Sequence, residues 1–129
     1  MAHNILIVDD SATTRAVIKR SLRMAGLADG QIFEASDGQA ALDLLAVSPV
    51  DLVLADLNMP RMDGVEMIRR MDADPKLSCI PVVVVSAEPN AATLTSTHHN
   101  CLRGYIRKPF TPEEIKSAIT QVLEATCGS

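Results

Sequence analysis

The sequence has almost no aromatic residues: it contains no Trp, one Tyr and two Phe among 129 residues. Three rings are too few for the stacking platforms of proteins that bind single-stranded nucleic acid. A basic field is also missing, because the formal net charge is −4. This charge excludes electrostatic attraction to nucleic acid or to an anionic membrane. Charged residues make up only 22% of the chain, which excludes a strongly charged disordered protein.

Long apolar runs and targeting signals are absent as well. No run approaches the roughly 20 residues of a membrane span, and the first residues lack the features of a signal peptide. The three cysteines, Cys79, Cys101 and Cys127, form no CxxC pair, which favours reduced thiols that pack within the fold. We therefore expect a cytoplasmic protein with a single domain over residues 1–129 and no effector domain.

What is present is a regular alternation of short apolar runs with amphipathic segments. The predicted strands are Ile5–Val8, Gln31–Ala35, Leu52–Ala55, Val82–Val85 and Gly104–Arg107. Continuous apolar runs are typical of strands buried on both faces, as in a parallel sheet. Five helical segments alternate with these strands, so the sequence predicts a doubly wound α/β domain with a five-stranded parallel sheet.

Capping residues mark the ends of four of these helices. Ser11, the Ser36–Gly38 turn, Asp63 and Thr111 are each placed to begin a helix, and Gly26 is placed to end the first one. The fourth segment, residues 90–99, is different because it is rich in Thr and Ser, each costing up to about 0.7 kcal/mol relative to Ala. Two interpretations stay open: a helix that orders only on activation or partner binding, or an ordinary helix held by packing.

Polar side chains follow four of the predicted strands, at the sheet edge where ligands bind in such folds. They are Asp9 and Asp10, Asp56, Ser86 and Lys108. One aspartate alone is explained as a helix cap, but the whole set predicts a site. Three ionised carboxylates need counterions, and Lys108 supplies a single charge. Oxygen ligands favour Mg²⁺, or else Mn²⁺, over Zn²⁺. Such a site can accept a phosphoryl group on a carboxylate.

Four motifs in this order resemble the receiver domain of bacterial response regulators. The motifs are Asp9-Asp10, the stretch from Asp56 through Met59-Pro60 to Asp63-Gly64, Ser86-Ala87-Glu88, and Lys108-Pro109-Phe110. The likeness extends over the whole chain and is greatest to stand-alone receivers of the chemotaxis CheY type. It implies a flavodoxin-like (CheY-like) fold with strand order 2-1-3-4-5, an arrangement of which CheY is itself a standard example.

The resemblance also implies roles for the residues at this edge. Asp56 would be the phosphoacceptor for a histidine kinase. Asp10, Asp56 and the backbone carbonyl of Asn58 would bind Mg²⁺, with Asp9 reaching the ion through water. Ser86 and Lys108 would contact the phosphoryl group. The protein would be no enzyme in its own right, since it would catalyse only its own phosphorylation and dephosphorylation.

Further residues match positions that tune such a receiver. Tyr105 matches the aromatic switch that moves together with Ser86. Asn58 and Glu88 match the pair that flanks the path of the hydrolytic water, which implies a short-lived phosphoryl state. The Lys108–Pro109 peptide bond would be cis, a geometry that is accessible before proline.

The expected output is protein–protein contact through the fourth helix, the fifth strand and the last helix. The first choice of target is a flagellar motor switch; the alternative is a phosphorelay in which the group passes to a histidine phosphotransfer protein. A phosphatase is a possible further partner, and we expect a monomer. The basic residues of the first helix are interpreted either as a kinase-docking surface or as a solvated face. They are Arg15, Lys19, Arg20 and Arg23.

Three rival functions are weighed against this one. An Asp-nucleophile phosphohydrolase would have a second Asp where Asn58 stands. A flavin-binding module would need a hydroxyl- and glycine-rich phosphate cradle after the first strand, where Asp9 and Asp10 stand. A receiver that only binds proteins would not need the complete acidic set and Lys108.

Overall fold

The computed structural model describes residues 3–27, 29–87 and 102–127, with side chains up to residue 124. The strands are β1 Ile5–Val8, β2 Ile32–Ala35, β3 Leu52–Ala55, β4 Val82–Ser86 and β5 Leu102–Arg107. The helices in this part of the chain are α1 Ala12–Met24, α2 Gly38–Val47, α3 Gly64–Ala73 and the last helix, Pro112–Cys127. The predicted helix over residues 90–99 lies outside the described residues.

The five strands form one parallel sheet in the order β2-β1-β3-β4-β5. This arrangement confirms the predicted α/β class and the strand order. In the central pair, Ile5 lies opposite Leu52 and Val8 lies opposite Ala55. The ends of β1 and β3 therefore meet at the same level, and the residues that follow them emerge side by side.

Each face of the sheet has its own apolar core. Alternate residues of a strand point to opposite faces, so every inner strand supplies side chains to both cores. One core lies under α2 and α3 and contains the strand residues Leu6, Val8, Val53, Ala55, Val82 and Val84. The other lies under α1 and the last helix and contains Ile5, Ile7, Leu52, Leu54, Val83 and Val85. Burial on both faces explains why these runs lack polar positions.

The described helices begin at the predicted caps. The Ser11 hydroxyl accepts a hydrogen bond from the Thr14 amide at 3.2 Å, and the Asp63 carboxylate accepts from the Glu66 amide at 2.9 Å. Each such cap stabilises a helix by about 1 kcal/mol. Gly26 follows α1 with a φ of 73°, a left-handed conformation in which glycine has no steric cost.

Two further caps show how the local sequence sets helix starts. In the Ser36–Gly38 turn the cap is Asp37, whose carboxylate accepts from the Ala40 amide at 2.8 Å. The Thr111 hydroxyl accepts from the Glu114 amide at 3.2 Å and donates to the Glu114 carboxylate at 3.3 Å.

The structure differs from the prediction at three strand ends and at one cysteine. β2 begins at Ile32, one residue later than predicted, and β4 extends to Ser86, one residue further. β5 begins at Leu102, two residues before the predicted start at Gly104. Leu102 pairs with Val82 of β4 and Gly104 pairs with Val83, so the pairing continues across an irregularity between them. Cys79, in the connection after α3, is exposed, so the expectation of a packed thiol does not hold for this residue. None of the described helices is long and apolar enough to cross a membrane.

Candidate functional site

Three carboxylates converge at the carboxyl edge of the sheet. Asp9 and Asp10 follow β1, and Asp56 follows the neighbouring β3. One carboxylate oxygen from each residue lies within 4.8 Å of the others. Asp9 and Asp56 are buried, with exposed fractions of 2% and 7%, whereas Asp10 is open to solvent. The cluster therefore has two buried members and one through which solvent reaches the site.

Lys108 lies between the two buried carboxylates. Its Nζ donates to Asp9 Oδ2 at 2.8 Å and to Asp56 Oδ2 at 3.1 Å. Its backbone amide donates to the Ser86 carbonyl at 3.0 Å, which fixes the end of β5 to the end of β4. Burial by itself would lower the pKa of Lys108, but its hydrogen bonds to Asp9 and Asp56 outweigh that effect and hold the pKa above its usual value. The side chain is therefore a fixed positive charge. The Lys108–Pro109 peptide bond is cis.

Backbone amides hold the remaining oxygens of the buried pair. Asp9 Oδ1 accepts from the Ser11 amide at 2.9 Å, and Asp56 Oδ1 accepts from the Asn58 amide at 3.3 Å. Both oxygens of each buried carboxylate thus have a donor, as buried charges require. The carboxylate orientations are fixed by the turns that follow β1 and β3.

The connection after β3 is packed tightly between the site and the start of α2. The Gly64 amide donates to the Leu57 carbonyl at 3.0 Å, and a Cβ on Gly64 would lie 2.3 Å from the Asp56 carbonyl oxygen. The Met62 carbonyl accepts from the Gly38 amide at 2.9 Å. The two glycines thus allow this connection to lie against the backbone on both sides, which keeps Asp56 at the edge of the sheet.

The charge balance and donor set of the cluster fit a hard divalent cation. Three carboxylates face one ammonium group, so ionised they carry a local excess of negative charge. All the clustered ligand atoms are carboxylate oxygens, which Mg²⁺ binds in preference to softer donors. Because Asp10 is exposed, an ion that retains several of its waters can be accommodated at the edge of the cluster.

Comparison with known proteins agrees with this geometry. Residues 5–120 match the family described as response regulator receiver domain. The chain belongs to this family. The receiver is 37% identical over 124 residues to Chemotaxis protein CheY of Pseudomonas aeruginosa, a match that covers 96% of this chain and 98% of that protein. It is also 37% identical over 120 residues to Chemotaxis protein CheY-3 of Vibrio cholerae, covering 93% of this chain and 91% of that protein.

A solved structure shows the same fold. The chemotaxis response regulator CheY4 of Vibrio cholerae superposes with a TM-score of 0.82 at 24% identity, covering 95% of this chain and 99% of that one. Receiver domains bind Mg²⁺ at an acidic pocket, and Asp9, Asp10 and Asp56 form an acidic cluster in this receiver. The family is one of signalling domains and not of classical enzymes.

Three of the other residues singled out from the sequence lie among the described residues. Ser86 ends β4, the strand beside β3, and is 2% exposed. Asn58 is exposed and joins the cluster through its amide. Tyr105 lies on β5 opposite Val84, with 44% of its surface exposed, so its ring is not enclosed in the core. Glu88 lies outside the described residues.

Sequence reasoning missed the partners of the basic residues on α1. Arg15 Nε donates to Glu34 Oε1 at 3.1 Å, and Lys19 Nζ donates to Glu34 Oε2 at 2.8 Å. The hydrogen bond from Lys19 is the main reason that the pKa of Glu34 is lowered, and Arg15 adds to the effect. Two of the four basic residues are therefore engaged with strand β2. The sequence signal for this pairing was the spacing of Arg15 and Lys19, one helical turn apart, followed by the acidic Glu34 in the next strand.

Proposed function

We propose that Asp56 is phosphorylated by a histidine kinase in a Mg²⁺-dependent reaction, and that the phosphorylated protein signals by binding another protein. One observation carries most of this proposal: the Lys108 ammonium is held between Asp9 and Asp56, next to the exposed Asp10. This arrangement places positive charge, and acidic ligands for a cation, around one buried carboxylate.

The transfer step balances as a substitution at phosphorus. An Asp56 carboxylate oxygen forms a bond to phosphorus, while the bond from phosphorus to the kinase histidine nitrogen breaks and its electron pair stays on the imidazole. Mg²⁺, when bound, would supply positive charge to neutralise the transferring oxygens. Asp10, Asp56 and the backbone carbonyl of Asn58 are the residues proposed to hold it, with Asp9 acting through water.

Lys108 and Ser86 are proposed to bind the phosphoryl group after transfer. Lys108 Nζ lies 3.1 Å from Asp56 Oδ2, so it is already beside the reacting carboxylate and has only to exchange a carboxylate oxygen for a phosphoryl oxygen. Its raised pKa keeps it charged throughout the physiological range. The Ser86 hydroxyl, at the end of the adjacent strand, is the proposed second contact.

The activated state is proposed to pass through Ser86 and Tyr105 to β5 and the last helix; residues 90–99, the remaining part of the predicted output face, lie outside the described residues. Asn58 and Glu88 are proposed to set the rate at which water removes the phosphoryl group. Chemotaxis, with a flagellar motor switch as target, is favoured because two relatives with 37% identity are named chemotaxis proteins. A phosphorelay to a histidine phosphotransfer protein is the alternative.

The same relatives support the remaining parts of the proposal. The match covers 98% of the Pseudomonas protein, which supports a receiver domain over residues 1–129. We propose a monomer in the cytoplasm, with a kinase, a target and a phosphatase as its protein partners.

Intact-mass spectrometry tests the chemistry directly. We expect the protein to gain one phosphoryl group from acetyl phosphate in Mg²⁺ and to gain none in EDTA. Asp56→Ala should abolish the gain, whereas the exposed Asp43→Asn should leave it unchanged. A gain that survives Asp56→Ala would refute the assignment. Steady release of phosphate from many phosphomonoesters, with no phosphorylated protein, would instead indicate a phosphohydrolase.

A further inference from the structure

Arg15 joins the acidic site to the edge of the sheet. Its Nε donates to Glu34 Oε1 at 3.1 Å, and its Nη1 donates to the backbone carbonyl of Asp9. The side chain is 17% exposed, so this arginine is not part of a freely solvated face. Arg15 lies in the first turns of α1, where side chains point back toward the start of the helix. For α1, that direction is toward the end of β1.

The carbonyl that Arg15 binds belongs to the peptide plane between Asp9 and Asp10. On the near side of this plane, Asp9 is already fixed by three contacts: its amide donates to the Ala35 carbonyl at 3.1 Å, and its two carboxylate oxygens accept from Ser11 and Lys108. On the far side, Asp10 is exposed. The orientation of this plane sets the direction in which the backbone continues into Asp10, and so contributes to the position of its carboxylate.

The shape of the guanidinium group, more than its charge, suits Arg15 to holding the Asp9–Asp10 peptide plane. Nε and Nη1 point in different directions within one rigid plane, so a single side chain bonds Glu34 and the Asp9 carbonyl at once. An ammonium group on a flexible stem has no such fork. Glu34 also offsets the positive charge, which by itself would repel a cation from the site.

We propose that Arg15 is a positioning residue for the cation site: it fixes the Asp9–Asp10 peptide plane, and Glu34 fixes Arg15. The inference rests on the proposed function, since it concerns the acidic cluster that this function uses. Groups that orient metal ligands typically change metal affinity by about 10- to 100-fold when they are removed.

Direct measurement of Mn²⁺ binding tests the proposal without any phosphorylation. The electron paramagnetic resonance signal of free aqueous Mn²⁺ decreases as the ion binds, and competition by Mg²⁺ gives the affinity for that ion. We expect Arg15→Met to weaken Mn²⁺ binding by about 10-fold. Loss of a positive charge near three carboxylates would by electrostatics alone tighten binding, so the expected change is opposite in sign to the effect of charge.

Arg20→Met is the matched control, because Arg20 is an exposed arginine on the same helix. It should change Mn²⁺ affinity by less than about 2-fold, since exposed charges are screened by water and salt. Arg15→Lys keeps the charge and should still weaken binding about as much as Arg15→Met does. Arg15→Lys is also the variant to use if Arg15→Met does not fold.

Glu34→Ala tests whether Glu34 acts through Arg15. If it does, the double variant Arg15→Met/Glu34→Ala should bind Mn²⁺ as weakly as Arg15→Met alone, with no further loss. Additive losses would show that the two residues act independently and would overturn the part of the proposal that concerns Glu34.

The failure of this inference can be told apart from the failure of the proposed function. Wild-type affinity, or tighter binding, in Arg15→Met or Arg15→Lys would overturn the positioning role, provided that Asp56→Asn weakens binding in the same assay. If Asp56→Asn binds Mn²⁺ as tightly as the wild type does, the cation does not bind at the acidic cluster, and both proposals fall.

Discussion

Replacing Lys108 with Met is the sharpest test of the electrostatics at the acidic site. The substitution keeps an unbranched side chain of similar length but removes the ammonium that bonds Asp9 at 2.8 Å and Asp56 at 3.1 Å. Both carboxylates are buried and keep only their backbone donors. The native state should therefore lose stability when no cation is present to replace the lost charge.

The magnitude follows from burial. Removing one partner of a buried ion pair typically costs about 3–5 kcal/mol. The Lys108 side chain is 20% exposed, so water softens the loss, and we expect the free energy of unfolding to fall by about 2–3 kcal/mol in EDTA. A ligand at 100 times its Kd stabilises the native state by about 2.7 kcal/mol. Because no ammonium competes for the carboxylates in the variant, saturating Mg²⁺ should stabilise it more than it stabilises the wild type.

Urea unfolding followed by circular dichroism measures both quantities. The deficit of Lys108→Met should be about 2–3 kcal/mol in EDTA and should shrink to below about 1 kcal/mol in saturating Mg²⁺. Lys116→Met, at an exposed lysine of the last helix, should change stability by less than about 0.5 kcal/mol in both conditions. A deficit that is the same with and without Mg²⁺ would refute the reasoning. So would a variant as stable as the wild type in EDTA.

Three further predictions concern the frame around the site. Gly64→Ala should destabilise the protein by more than about 2 kcal/mol in urea unfolding, because the new Cβ would lie 2.3 Å from a backbone carbonyl; Gly104→Ala, with nothing within 4 Å, should cost less than about 1 kcal/mol. Arg61→Gly should stabilise the protein by about 0.5–1 kcal/mol in the same assay, because Arg61 has a φ of 64°, which is strained for any residue but glycine. The ion pair lost with Asp37 is worth less, since the Arg61 side chain is 80% exposed. A net loss of stability would show that the ion pair dominates. Hydrogen bonds from Arg69 and Arg70 lower the pKa of Glu66 to about 2. Since this pKa is below the usual 4.5, the pairing stabilises the folded state fully above pH 4.5, and this contribution is lost as the pH falls toward 2. Carboxyl NMR should show the low pKa of Glu66, and Arg69→Gln should raise it.

The sequence by itself determined the local features of this receiver. Strands and helices follow from apolar periodicity, and caps such as Ser11 and Asp63 act on amides only three residues away, so a local pattern was enough to predict them. The positions after each strand were predictable for the same reason. The strand order was not, since the alternation of elements fits several arrangements, and the resemblance to receiver domains was needed to choose one.

Only the tertiary structure decided which of these groups touch. The bond from Lys108 to Asp9 joins residues 99 positions apart, and no local pattern specifies which carboxylate oxygens an ammonium will bridge. The pairing of Arg15 with Glu34 likewise depends on how α1 packs relative to the edge strand β2, and the sequence alone left that arginine as either a docking or a solvated residue. Local sequence determines which side chains lie at the edge of the sheet, because caps and strands depend on near neighbours. The packing of the sheet and helices determines which of those side chains bond to one another, because distances between remote residues depend on the whole fold.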